Sequence, residues 1–194
     1  MSKRDQLICA AMTLLVEQGS MAFSMNALAR HAKASKETLY RHFGNKQGLF
    51  EAIISENAVQ AGLLQDFLAD NPDNPEGFLA QFGETLLQFL MSPGSIVINR
   101  IVIAEATSTP ELAAILEEHG RQKVARHINQ QFEHYQQSGL INPQSAQSLT
   151  IFLGLLLQDS QIKVLDGSAP PLTSEEARSR AAEAASLYLK LFNN

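Results

Sequence analysis

Two short helix signals stand only three residues apart near the N-terminus, and that spacing leaves the chain few ways to fold there. Ser24 is an N-cap residue, and the Ala27, Leu28, Ala29 and Ala32 that follow give one small apolar face, suited to close docking on another helix. Lys33-Ala34-Ser35 then leads into a second helix, Lys36 to Phe43, which Ser35 can cap and in which Leu39 and Phe43 form an apolar i, i+4 pair. Helices joined by so short a turn form a helix-turn-helix, whose second helix enters the DNA major groove. Lys36, Glu37 and Thr38 lie at the end that reaches base edges. Thr38, Tyr40, Arg41 and His42 have to face away from the apolar pair; Tyr40, His42 and Lys46 are donors of the kind that fix register on phosphate, and Arg41 belongs to the same DNA-facing set. Ser24, Met25, Asn26 and Ser35, at the two helix starts, complete the expected DNA-facing set.

Charge supports that expectation. Residues 1–50 hold seven Lys or Arg against three acids, a net of +4, while the remaining chain holds eight against seventeen, a net of −9. An acidic body disfavours wrapping by DNA, so the N-terminal module is the phosphate-facing surface. Its own charge is weak, which favours two copies acting together.

The string Ser35, Thr38, Leu39, Tyr40, His42, Phe43, Lys46 and Leu49 closely resembles the TetR family of bacterial repressors, whose recognition helix reads S-x-x-T-L-Y-x-H-F followed by x-x-K-x-x-L. The likeness continues upstream through Ala10, Ala11, Leu14 and Leu15 of a first helix, Gly19 that ends it, and the small apolar face of the second. Two positions depart from the pattern. Lys33-Ala34 stands where the family usually has Gly-Val, so Lys33 must accept a turn conformation that Gly takes more easily. Gln47-Gly48 stands where an acid usually follows the lysine.

The rest of the chain reads as successive helices. Asn74-Pro75, Ser92-Pro93, Thr109-Pro110 and Asn142-Pro143 each put a capping side chain before a proline at the first helical position, and Thr173-Ser174-Glu175-Glu176 is a capping box. These signals predict helices over 46–68, 75–91, 94–107, 110–137, 143–165 and 173–192. Gly167-Ser168-Ala169-Pro170-Pro171 links the last two. The expected fold class is all-α, with about nine helices: a three-helix headpiece tied to a helical body. The expected domains are 1–48 for DNA binding and 49–194 for effector binding and dimerisation. A weaker resemblance over 98–167 is to the C-terminal domain of AefR-like members of the family. It is carried by Arg100-Ile101-Val102-Ile103-Ala104-Glu105-Ala106, Pro110-Glu111-Leu112-Ala113, Gly139-Leu140 and Phe152-Leu153-Gly154-Leu155.

The body offers two roles. Leu149, Phe152, Leu153, Leu156 and Leu157 form one apolar stripe, and Ala181, Ala184, Ala185, Tyr188 and Leu191 another with small residues for close approach. Either stripe can face the monomer core or a symmetry mate. The resemblance implies the latter, a homodimer on a palindromic operator. Phe67, Phe78, Phe82, Phe89, Phe132 and Phe152 have core-like spacing, but the family places a small-molecule cavity between the long fourth helix and the next three. Arg100, Glu105 and His127 are the polar groups expected to orient an uncharged or amphiphilic effector there.

Other classes lack support. No phosphate loop, G-x-S-x-G elbow, H-E-x-x-H or cysteine cluster is present, so neither an enzyme nor a cofactor is expected. His119, His127 and His134 recur every seven or eight residues, about 10 Å or more apart along a helix, too far for one metal. The single Cys9 fits a reducing, cytoplasmic compartment. Lys3-Arg4 before Leu7 to Val16 imitates a leader, but Asp5 and the helical spacing of Leu7, Ala11, Leu14 and Leu15 favour an amphipathic helix. Leu149 to Leu157 is too short to span a bilayer. The expected function is therefore a DNA-binding transcriptional regulator, a repressor released by a small molecule. The alternative is a helical ligand-binding or interaction protein without specific operator recognition.

Overall fold

The computed structural model describes residues 1–62, 73–141 and 148–192. Phe67 and the Asn142-Pro143 helix start lie outside the described residues, and so do the side chains of His119 and His127. Among the described residues there are eleven α-helices and no strand: α1 (Lys3–Ala22), α2 (Met25–His31), α3 (Lys36–Phe43), α4 (Lys46–Gly62), α5 (Pro75–Leu90), α6 (Pro93–Ala104), α7 (Glu111–Leu116), α8 (Gln122–Gln137), α9 (Ser148–Leu157), α10 (Ser160–Asp166) and α11 (Ser174–Phe192).

The count exceeds the expected nine for local reasons. The helix expected over 110–137 is divided by a π-helical turn, Glu117–Arg121. The one expected over 143–165 is broken at Gln158, whose φ is +47°, and the Ser160 hydroxyl donates to the Leu157 carbonyl across the break (2.6 Å). Caps behave mostly as read. Asn74 Oδ1 accepts from Gly77 N–H (2.9 Å). In the capping box the Glu176 carboxylate accepts from Thr173 N–H (2.8 Å) while Thr173 Oγ1 accepts from Glu176 N–H (3.2 Å). At Thr109-Pro110, by contrast, α7 begins without a side-chain cap on Pro110, and the Thr109 and Pro110 carbonyls take the Leu112 and Ala113 N–H groups.

The helices form two compact units, Met1–Val59 with Pro93–Gly120, and Gln60–Ser92 with Arg121–Asn194. Their limits do not fall at the expected 48/49 division. The first unit runs on through most of α4 and takes in α6 and α7, because the apolar face of α6 (Ile98, Ile101, Val102) is buried in one core with Leu7, Ala11, Leu14 and Leu15 of α1. Leu28 of α2, Leu39 and Phe43 of α3, and Leu49, Phe50 and Ile53 of α4 complete that core. At Gly19, φ 75° and ψ 169° interrupt α1 in a region essentially reserved for glycine.

In the second unit α11 packs along α5 and against α9, and α8 packs on α9. The three helices α5, α9 and α11 meet at Gly83, where an added Cβ would lie 2.9 Å from Leu156 Cδ1 and 3.1 Å from Ala181 Cβ. An aromatic chain fills the interior. Phe78 contacts Phe82 and Tyr135, Phe82 contacts Phe152, and Tyr188 contacts Phe132, Phe152 and Phe192, with ring centroids 4.7–6.3 Å apart. This placement corrects the dimer expectation for six residues. Phe152, Leu156, Ala181, Ala184, Ala185 and Tyr188 are all at most 1% exposed within a single chain, so their stripes face the unit's own core. Of that set, Leu191 is exposed, and Leu149, Leu153 and Leu157 are half-buried.

Candidate nucleic-acid interface

The turn between α2 and α3 depends on one strained residue. Lys33 has φ +47°, the left-handed geometry for which the sequence pattern has glycine. It is held by a Schellman arrangement in which Lys33 N–H donates to the Arg30 carbonyl (3.3 Å) and Ala34 N–H to the Ala29 carbonyl (3.0 Å). Ser24 Oγ accepts from Ala27 N–H (3.1 Å) at the start of α2. Ser35 Oγ accepts from Thr38 N–H (3.0 Å) at the start of α3 and also shares a hydrogen bond with the Thr38 hydroxyl (2.9 Å).

These caps fix the rotation of α3. Leu39 and Phe43 are buried, while Lys36, Glu37, Tyr40 and Arg41 are exposed and Thr38 and His42 half-buried. Ser24, Asn26 and Ser35 are exposed as well. Met25 departs from expectation: it is 8% exposed and belongs to the core that supports α2, so its side chain is a support rather than a contact. The reason lies in the N-cap, which puts the first helical residue on the side that also carries Leu28 and Ala29.

The junction between α3 and α4 is tight. Gly44 ends α3 with φ +73° and donates from N–H to the Tyr40 carbonyl (2.8 Å), and Asn45 Oδ1 accepts from Gly48 N–H (2.8 Å). Lys46 therefore starts α4 beside the recognition helix. Its ammonium lies 5.1 Å from the Phe50 ring centroid and 4.0 Å from Glu105 Oε1, and both partners of the ion pair keep about a third or more of their side-chain surface exposed (43% and 32%). Arg4 of α1 was not among the expected contacts. Its guanidinium sits 5.9 Å from the Phe43 ring centroid at the end of α3, adding an exposed cation beside that helix. The signal was present in Lys3-Arg4, next to Asp5, whose carboxyl is held below its ordinary range by hydrogen bonds from the Ser2 side chain and backbone.

Arg100 and Glu105 belong to the first unit, and Phe78, Phe82, Phe132 and Phe152 to the second. There, those four rings are packed on one another and on tyrosines, and Phe89 is half-buried. Among the described residues no group of three His, Cys, Asp or Glu is placed to hold a metal ion, and no single helix is long and apolar enough to cross a membrane.

Residues 7–53 match the family model of bacterial regulatory proteins of the tetR family, and residues 77–194 match the model of the AefR-like transcriptional repressor C-terminal domain. The uncharacterised HTH-type transcriptional regulator YvkB of Bacillus subtilis is 40% identical over 57 residues, 29% of this chain and 30% of that protein's length. A TetR-family transcriptional regulator from Mesorhizobium loti superposes with a TM-score of 0.86 at 24% identity, over 98% of this chain and 96% of that one. The flavonoid-responsive regulator FrrA superposes with a TM-score of 0.73 at 26% identity, again over 98% and 96%.

Proposed function

The chain belongs to the TetR family of bacterial transcriptional regulators, and from that premise we propose that it is a homodimeric repressor that leaves a palindromic operator when a small molecule binds its body. The observation that carries the DNA-binding part is the division of α3. Leu39 and Phe43 anchor it while Lys36, Glu37, Tyr40 and Arg41 stand exposed on a segment of net charge +4. In this reading Lys36, Glu37 and Thr38 reach base edges. Tyr40, Arg41, His42, Lys46 and the N-termini of α2 and α3 (Ser24, Asn26, Ser35) hold phosphates, and Arg4 adds one more cation.

Dimerisation uses apolar side chains that a single chain leaves open. Ile162 of α10 and Leu187 and Leu191 of α11 are 58%, 40% and 61% exposed, and half-buried Leu149, Leu153 and Leu157 extend the apolar surface along α9. Two recognition helices then sit about 34–36 Å apart, or a multiple of that, on the operator. The effector is an uncharged or amphiphilic aromatic or aliphatic compound. The flavonoid response named for FrrA supports the aromatic class, and the Phe78–Phe82–Phe152 chain supplies ring surface able to repack around it. Effector binding changes the tilt of α4 and with it the spacing of the two headpieces. A preference of about 1–3 kcal/mol for the non-binding spacing gives useful release. The site of action is the cytoplasm, where such DNA lies.

Selection of binding sites from a random duplex library at near-physiological salt tests this reading. An enriched palindrome is the expected result. Weak, salt-sensitive binding with no enrichment points instead to a helical ligand-binding protein without operator recognition.

A further inference from the structure

The sequence pattern assigns Glu105 to effector orientation, yet the structure puts it beside Lys46. We propose that Glu105 is a built-in competitor for that lysine: it pairs with Lys46 in the DNA-free protein and has to be displaced before the ammonium can take a phosphate. The proposal rests on the phosphate-contact role given to Lys46 above.

The carboxylate is placed for this task. Glu105 follows the last residue of α6, and the turn after it is tied back to it, with Thr109 N–H and Ser108 N–H both donating to the Glu105 carbonyl (2.7 and 3.1 Å). Ser108 Oγ donates to Glu105 Oε2 (2.7 Å), which leaves Oε1 facing Lys46 Nζ at 4.0 Å. One oxygen is thus hydrogen-bonded by the turn, and the other stands at ion-pair distance from the lysine. Lys46 is confined in turn at the first position of α4, with its ammonium within 5.1 Å of the Phe50 ring centroid. A lysine donates three N–H bonds as a compact point charge, so phosphate and carboxylate compete for one cation.

The test is a two-by-two set of full-length variants: wild type, Glu105→Gln, Lys46→Gln and the double variant. Glutamine keeps the size of Glu105 and an acceptor for Ser108 while removing the charge. Binding to one fixed fluorescent duplex is titrated at several salt concentrations, and thermal melting checks that each variant folds. A fixed duplex suffices because phosphate contacts do not depend on base sequence. The expected result is that Glu105→Gln tightens binding by about two- to fivefold at low salt, the range set by an exposed ion pair. The gain shrinks as salt screens the pair, and it vanishes when Lys46 is already glutamine. Unchanged or weaker binding by Glu105→Gln overturns the proposal. So does an equal gain in the Lys46→Gln background, which would make Glu105 a general repulsive charge. Lys46→Gln binding as tightly as wild type removes the phosphate role of Lys46 itself, a separate failure that also removes the competitor's object.

Discussion

Gly48 lies so close beneath the end of the recognition helix that a Cβ built on it would come within 2.1 Å of the Phe43 carbonyl oxygen. Because the obstructing atom is backbone, no rotamer change relieves the clash, and α4 or α3 has to move. Gly48→Ala therefore reverses the usual helix-propensity ranking. It should destabilise the protein by about 1–3 kcal/mol, as overpacking does. DNA affinity should fall as well, since Lys46 and Tyr40 flank the shifted junction. Urea unfolding and duplex titration of the same sample check both, and Gln47→Ala next to it serves as an exposed control.

At Lys33 the direction is opposite. A non-glycine residue in the left-handed region carries a strain of about 1–2 kcal/mol, whereas glycine's greater freedom in the unfolded chain returns about 0.4–1 kcal/mol of that. Lys33→Gly should raise stability by a fraction of a kcal/mol to about 1 kcal/mol, which is at most about 2–4 °C in Tm for a chain of this length. A lower Tm would mean that the lysine side chain is itself holding the turn.

Exposed residues of α3 separate by role. Tyr40 is 48% exposed and directly follows fully buried Leu39, so its ring stands on the outer side of the helix. Tyr40→Ala should weaken binding to every duplex by a similar factor. Lys36→Ala should reorder the sequences preferred in a selection, because the proposed docking puts Lys36 at the end that reaches base edges. Lys46→Ala should lower the slope of log affinity against log salt by about 1. Binding curves for a matched and a scrambled duplex across salt concentrations distinguish the three.

What the sequence disclosed, and what it did not, follows from how local each signal is. Ser24, Ser35, Asn74 and Thr173 cap as read because a cap is settled by residues within one turn, and Leu39 with Phe43 fixes α3 for the same reason. The break in α1 at Gly19 was legible too, since it rests on one residue's backbone freedom. Which side of α9 and α11 is inward was not. Leu149 to Leu157 is apolar nearly all round, and α11 carries leucines at 187 and 191 besides the alanine stripe, so periodicity alone favours no face. The alanines turned out to be the core side, fitted against α5 at Gly83. Glu105 was equally unreadable. Its partner Lys46 lies fifty-nine positions earlier, and the pair exists because α6 shares a core with α1 and α4.

The capping box of α11 gives a pH prediction. Glu176 has its carboxyl held below its ordinary value of 4.5, first by the Thr173 backbone N–H and then by the Thr173 hydroxyl. A depressed folded-state value means that this contribution is complete above the unfolded value and disappears as pH falls through the lower, folded one. The order of the first turn of α11 should thus be unaffected at neutral pH and decline below about pH 4.5. Hydrogen exchange at the first amides of α11 reads this directly. Glu176→Gln keeps a side chain able to complete the box but no longer titrates, so its protection should be flat across the same range; equal pH dependence in both proteins would assign the effect to another group.

Phe152 and Leu191 are expected to separate folding from assembly, although both were read from the sequence as dimer residues. Phe152 is fully buried between Phe82 and Tyr188, with centroids 6.1 and 5.9 Å away. Truncation to alanine removes ring contacts on two sides and leaves a cavity, costing about 3–5 kcal/mol. Leu191 is 61% exposed and Leu187, one turn earlier, 40%, so charge at both positions meets water in a single chain but faces its own copy across a two-fold interface. Leu187→Glu combined with Leu191→Glu should leave the helical content of the protein intact while sedimentation shifts from dimer to monomer. Operator affinity should fall with it, because a lone headpiece has only half of the contacts. A doubly charged variant that still sediments as a dimer would move the interface off this face of α11, and it would leave the buried role of Phe152 untouched.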